Sequence, residues 1–207
     1  MKRLKEYLSL LMLAAMLFGV FAAAPFEVAA AQDLDYIERS WTGSGIQTTT
    51  KTCSDYETIT SRSSLTLEDG KWYVVNGDAT VSNRVEVTGE THLILLRGTL
   101  TCNNGIHLRE SNTLNIYPGS TGDTVEGTGT LTANGWHRAG IGAEGQNGAG
   151  GSVTVHGGSV HAKGDDSTAA IGGGRNGNGG TVTIYDGTVN ATGGPAFLYS
   201  SYNASGS

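Results

Sequence analysis

The chain has 207 residues, of which 32 are glycine, three proline and two cysteine, and its 13 Lys and Arg against 19 Asp and Glu give a net charge of −6. That size holds one domain. Short β-branched runs exclude a helical protein, and the acidic balance excludes a nucleic-acid binder, which needs a basic patch.

Residues 1–31 open with Lys2, Arg3 and Lys5, continue through the apolar run Leu8 to Ala24 and end at Ala29-Ala30-Ala31 before Gln32. A basic start, a hydrophobic middle and a small-residue cleavage site predict a secretory signal peptide; the other reading of the run is an uncleaved membrane anchor. No later stretch of the sequence is apolar enough to span a bilayer, so no membrane contact is expected after cleavage. Loss of Lys2, Arg3, Lys5, Glu6 and Glu27 leaves ten basic against seventeen acidic residues, a net charge near −7. The expected location is extracellular or at the cell surface. Two cysteines in an exported chain permit a disulfide, but Cys102 aligns with the inward Ala162 and Ala191 and reads as a core thiol, with Cys53 a lone thiol in the N-terminal region.

Residues 32–63 are polar and rich in Thr and Ser, and they read as an extended lead-in of low order. Repeats are expected over 64–194. Leu65-Thr66-Leu67 and Trp72-Tyr73-Val74-Val75 look like two strands meeting at the tight Asp69-Gly70 turn. From Asp78 onward, Thr80-Val81-Ser82 aligns with Thr99-Leu100-Thr101, and Arg84-Val85-Glu86-Val87 with Gly105-Ile106-His107-Leu108. The next coil starts at Thr113-Leu114-Asn115-Ile116-Tyr117, is interrupted by a loop from Ser120 to Gly127, and resumes at Gly129-Thr130-Leu131-Thr132-Ala133.

Between Ala139 and Gly194 one phrase occurs twice, about thirty residues apart. Ala139-Gly140-Ile141-Gly142 leads to a strand with Val153 and Val155 and another with Val160 and Ala162; Ala170-Ile171-Gly172-Gly173 leads to Val182 and Ile184, then Val189 and Ala191. Apolar residues alternate with Ser, Thr, His, Tyr and Asn, so one face is buried and the other wet. A fixed period of this length marks a solenoid. The predicted fold is all-β, a single-stranded parallel β-helix of about five coils with three short strands per coil, turning at Gly, Asn and Asp corners.

The series Trp72-Tyr73-Val74-Val75, Gly105-Ile106-His107, Leu114-Asn115-Ile116-Tyr117, Gly129-Thr130-Leu131-Thr132-Ala133, Ala139-Gly140-Ile141-Gly142 and the run from Gly179 to Gly194 resembles the glycine-rich repeats of secreted and wall-attached proteins of Gram-positive bacteria. The resemblance implies a right-handed, pectate-lyase-like β-helix on a cell-surface protein, with carbohydrate binding or adhesion as its use. Residues 195–207 depart from the pattern, since Pro195-Ala196-Phe197-Leu198-Tyr199 stands where another Ala-Gly-Ile-Gly-Gly is due. Either that tail folds over the last coil or the array is truncated; the second reading is preferred, with cell-wall attachment expected through a region beyond it.

Several outward side chains are candidates for chemistry. Gly140 to Gly145 and Gly172 to Gly177 fit the spacing of a dinucleotide loop, but neither precedes a helix, so both read as corners. Tyr117, His156 and Tyr185 follow the last inward residue of the first strand in successive coils and are predicted to stack about 4.8 Å apart. Such a strip of rings suits the apolar face of a sugar, or simply stabilises the surface. Counting back from Ile141 and Ile171 sets Trp136, His137 and Arg138 one coil from Asp166, Ser167 and Thr168, with Lys163 and Asp165 nearby, an arrangement able to grip a polysaccharide through stacking and charge-assisted hydrogen bonds. The same loop also reads as a tryptophan folded over the core edge beside solvated charges. Asp165-Asp166 raises Ca²⁺ as a ligand, although that ion wants six to eight oxygens; no other cofactor is expected. The Thr and Ser rows at Ser152, Thr154, Thr181 and Thr183 are too interrupted by Asn115 and Ile94 for ice binding.

The function these residues point to is a non-catalytic surface module that binds polysaccharide or acts in adhesion. A spacer rod within a longer surface protein is the alternative. A polysaccharide lyase or hydrolase is the third reading, poorly supplied with facing acids and bases.

Overall fold

The computed structural model describes residues 33–121 and 126–195. The predicted signal peptide and nearly all of the 195–207 tail lie outside these residues.

Strand β1 (Leu34–Trp41) and strand β2 (Ile46–Cys53) come first. The coils follow. The first contributes β3 (Glu57–Thr58) and β4 (Leu65–Leu67), and between them a single bridge runs from Arg62 to Val81 of the next coil. The second has β5 (Trp72–Asn76), β6 (Ala79–Val81) and β7 (Val85–Val87); the third has β8 (Glu90–Arg97), β9 (Thr99–Cys102) and β10 (Ile106–His107). The fourth has β11 (Thr113–Pro118), β12 (Thr130–Asn134) and β13 (Ile141–Gly142); the fifth has β14 (Ser152–Val155), β15 (Ser159–Lys163) and β16 (Ile171–Gly172). Strands β17 (Thr181–Ile184) and β18 (Thr188–Thr192) begin a sixth. Equivalent strands stack in parallel into three sheets, β3-β5-β8-β11-β14-β17, β6-β9-β12-β15-β18 and β4-β7-β10-β13-β16. The molecule is a parallel β-helix.

Inward residues form the ladders that the alternation predicts. Leu114, Val153 and Val182 are in register in the first sheet, Leu100, Leu131, Val160 and Val189 in the second, and Leu65, Val85, Ile106, Ile141 and Ile171 in the third. Most are fully buried, and each such aliphatic side chain contributes roughly 1.5–3 kcal/mol relative to exposure. Cys102 lies in register with Ala133, Ala162 and Ala191, fully buried, and both Cys102 and Cys53 are free thiols. Close coil contact requires glycine at Gly142: its φ of +150° disfavours a side chain, and an added Cβ would collide with the Gly172 carbonyl oxygen.

Three local expectations change. The Asp69-Gly70 turn forms, with Lys71 N donating to Glu68 O at 3.1 Å, but β4 and β5 are successive sides of the spiral rather than a hairpin; each pairs with the neighbouring coil. Val81 pairs with Cys102 and Ala79 with Leu100, two residues from the predicted alignment; the shift is even, so the same face stays inward. The largest change is in residues 32–63. The segment read as a low-order lead-in forms an antiparallel hairpin of β1 and β2, paired over all eight positions from Leu34↔Cys53 to Trp41↔Ile46. Gly43 (φ +89°) and a Thr42 N to Gly45 O bond of 3.0 Å close its turn.

This hairpin covers the outer face of the first sheet. Val74, Ile94 and Tyr117 are in register there and point outward, and they form a second apolar cluster with Tyr36 and Cys53, against which Leu34, Tyr56, Trp72 and Leu96 pack. Tyr36 bridges to Gly119, and Ser120 N donates to Asp35 O at 2.7 Å.

Candidate functional site

The predicted ring column exists, and it is longer than its sequence signature. Tyr117 stacks on His156 with centroids 4.3 Å apart and planes 7° apart, and His156 meets Tyr185 at 5.4 Å. Toward the first coil, Trp72 stacks on His92 at 4.2 Å and lies 5.3 Å from Tyr117. Tyr36 of the hairpin packs edge-on against Tyr117 at 5.0 Å and tilted against Trp72 at 4.7 Å.

Tyr117 and His156 are buried beneath that hairpin, which removes the two rings from the sugar-binding strip predicted for them. Arg39 closes the cover. Its guanidinium donates to the His156 carbonyl at 2.5 Å and pairs with Glu126 and, at 3.2 Å, with Asp186. The imidazole Nδ1 of His156 faces both the Arg39 amide at 3.1 Å and its carbonyl at 2.8 Å. Burial pushes the His156 and His92 pKa values down and the Tyr117 hydroxyl well up, and raises Tyr36 to about 12. The column is a structural seam.

The second predicted cluster is open. Trp136 is 60% exposed, and its ring lies edge-on to His137 at 5.1 Å. The register that brings its loop beside Asp165 and Asp166 follows from Asn134↔Lys163, one residue before the strands part. Hydrogen bonds continue the ladder into the loops: Gly135 N donates to Lys163 O at 2.7 Å, and Asp165 N to Arg138 O at 3.2 Å. His137 pairs with Asp166 through Nδ1, and its amide points at Asp165 Oδ2, 3.4 Å away. Arg138 turns away from the aspartates, donating to Trp136 O at 3.1 Å and to Glu144 Oε2 at 3.0 Å. All five loop residues named from the sequence are therefore neighbours.

Glu144 extends this loop into a cleft that sequence reasoning missed. Its other oxygen lies 3.3 Å from Arg84 and 3.9 Å from His107 Nε2. The buried His107 ring also receives Arg84 on Nδ1 and faces Arg109 Nε at 3.4 Å and Glu86 at 3.7 Å. A neutral imidazole accepts at one nitrogen only, so it takes one of these guanidinium bonds and turns its N–H toward a carboxylate. Burial pulls the His107 pKa down; the Glu144 carboxylate opposes this, and the two arginines reinforce it. The cleft has a volume of about 540 Å³ and is lined by His107, Arg109, Glu110, Ser111, Ala143 and Glu144, among others.

A family model described as Beta helix repeat matches residues 153–175 and 182–206, two segments that start at Val153 and at its counterpart in the next coil, Val182. The chain carries β-helix repeats. No curated protein and no solved structure matches it.

On this β-helix the charged cleft and the tryptophan loop share the corners before and after the third strand. Arg84 and Glu86 come from the second coil, His107 and Arg109 from the third, and Arg138 and Glu144 from the fourth. The available signal was the pairing of Glu86 with His107, which follows directly from aligning Val85 with Ile106. The two glycine-rich loops that fit a nucleotide fingerprint are corners of the spiral, joined by a Gln146–Arg175 bridge.

Proposed function

We propose that this β-helix is an extracellular, polysaccharide-binding module whose contact surface runs from Trp136 through Arg138 and Glu144 to Arg109. The observation that carries the reading is Trp136: a ring 60% exposed and flanked by hydrogen-bonding side chains. An exposed indole stacks on the apolar face of a sugar ring, while neighbouring charged groups bond its hydroxyls or acidic substituents. The hairpin cover over Tyr117 and His156 moves the expected contact off the flat ring column and onto this corner. Binding without catalysis is supported by the engagement of Glu144 with two guanidinium groups and of Asp166 with His137. An extracellular location is supported by the pattern of residues 1–31.

Affinity electrophoresis through gels containing neutral or uronate-rich polysaccharides tests the proposal. Retarded migration in at least one gel is expected. Unretarded migration in every gel of a panel of plant, mucin and bacterial-wall polysaccharides would remove it.

A further inference from the structure

We propose that His137, Asp165 and Asp166 form a binding site for one divalent transition-metal ion. One ligand atom from each residue lies within 4.8 Å of the other two, close enough for all three to reach a common ion. The residues come from loops of adjacent coils tied together by the Gly135–Lys163 and Asp165–Arg138 backbone bonds, so the three are held by the β-helix rather than by a free loop.

Charge gives a separate reason. Asp165 and Asp166 are adjacent carboxylates, and among the described residues neither forms an ion pair with a lysine or arginine; Arg138 of the facing loop is engaged with Glu144. His137 faces both, its ring paired with Asp166 and its amide pointing at Asp165. A cation between the three groups relieves the repulsion between the carboxylates and uses the imidazole as a neutral ligand.

The donor set selects the class of ion. Ca²⁺ takes six to eight oxygens, whereas a nitrogen with two carboxylate oxygens suits Zn²⁺, Mn²⁺ or a similar ion. His137 is 62% and Asp166 28% exposed on their side chains, so the remaining coordination positions face solvent beside the Trp136 ring. There the ion accepts two neighbouring sugar hydroxyls while the indole stacks on the same residue; this last step rests on the proposed glycan binding.

Titration of the purified chain with Mn²⁺, followed by loss of the free-ion paramagnetic resonance signal, counts the site without interference from the thiols of Cys53 and Cys102. One equivalent is expected, with Zn²⁺ competing and Ca²⁺ about tenfold weaker or worse. His137→Gly and Asp166→Asn are each expected to weaken Mn²⁺ by about tenfold or more. Both substitutions suit backbones of φ +56° and +48°, so an unchanged melting temperature separates ligand loss from misfolding. Absence of one-to-one uptake, or affinity unchanged in both variants, overturns the site. Gel retardation that survives a chelator overturns the sugar-coordination step and leaves the metal site standing, whereas absence of retardation overturns the glycan reading without touching the titration.

Discussion

Arg39 and His156 are 117 residues apart, yet the Arg39 guanidinium donates to the His156 carbonyl at 2.5 Å while the His156 ring faces the Arg39 backbone. Through this pair a hairpin formed before the first coil is fastened to the fifth. It seals a seam of stacked rings that would otherwise be wet.

Truncation of that clamp has a specific cost. Arg39→Ala leaves Glu126 and Asp186 without their cation and opens one end of the hairpin, and the partners' partial exposure moderates the loss. A destabilisation of about 1–3 kcal/mol is expected in denaturant melts. A midpoint equal to that of the parent chain would show that the apolar cluster around Tyr36 and Tyr117 holds the hairpin without help.

Acid acts on this seam and on the charged cleft. His92, His107 and His156 all have pKa values lowered in the folded state, with burial the first cause in each. The unfolded chain therefore binds more protons than the folded one once pH falls below the ordinary histidine value of about 6.5. Stability is expected to be flat from pH 8 to 7 and to decline as pH falls through 6, before carboxylate titration begins. His156→Gln is expected to flatten part of that slope. Stability that rises between pH 7 and 5.5 would contradict the sign.

Much of the β-helix was legible because its signal is local and repeated. Val153, Val155, Val160 and Ala162 recur as Val182, Ile184, Val189 and Ala191, and aligning Ile141 with Ile171 sets the corner register that brings Trp136 to Asp166. The hairpin left no such trace. Thr48, Thr49, Thr50 and Thr52 are exposed on both faces of β2, so no apolar alternation marks the strand. A hint lay in Val74, Ile94 and Tyr117, apolar residues pointing outward at one register position, which need a cover. Glu144 escaped notice for a different reason. Its partners Arg84, His107 and Arg138 lie on three coils, and no spacing within a single repeat brings them together.

Cys102 offers a check on the interior. It occupies a ladder between Val81 on one side and Ala133, Ala162 and Ala191 on the other, and burial pushes its thiol up to about 12. Cys102→Ala is expected to cost no more than about 1 kcal/mol, since its neighbours show that alanine fits, whereas Cys102→Leu overpacks the coil by roughly 1–3 kcal/mol. Thiol reagents should leave Cys102 unlabelled until the chain unfolds. Rapid labelling of that residue under native conditions would place it outside the core.

Trp136 separates the proposed function from a purely structural corner. With 60% of its surface exposed and one edge-on contact to His137, the ring adds little to the core, so Trp136→Ala is expected to shift stability by no more than about 0.5 kcal/mol. Removal of a stacking platform weakens sugar binding by roughly 1–3 kcal/mol, a loss of affinity of about 5- to 150-fold on the polysaccharide that retards the parent chain. Glu144→Gln provides the complementary measurement. It breaks the links to Arg138 and Arg84 while leaving the indole in place, so it should weaken binding of uronate-bearing chains less than Trp136→Ala does and alter its salt dependence more. A lower melting temperature with unchanged binding in Trp136→Ala would assign the tryptophan to the fold and leave the corner without a ligand.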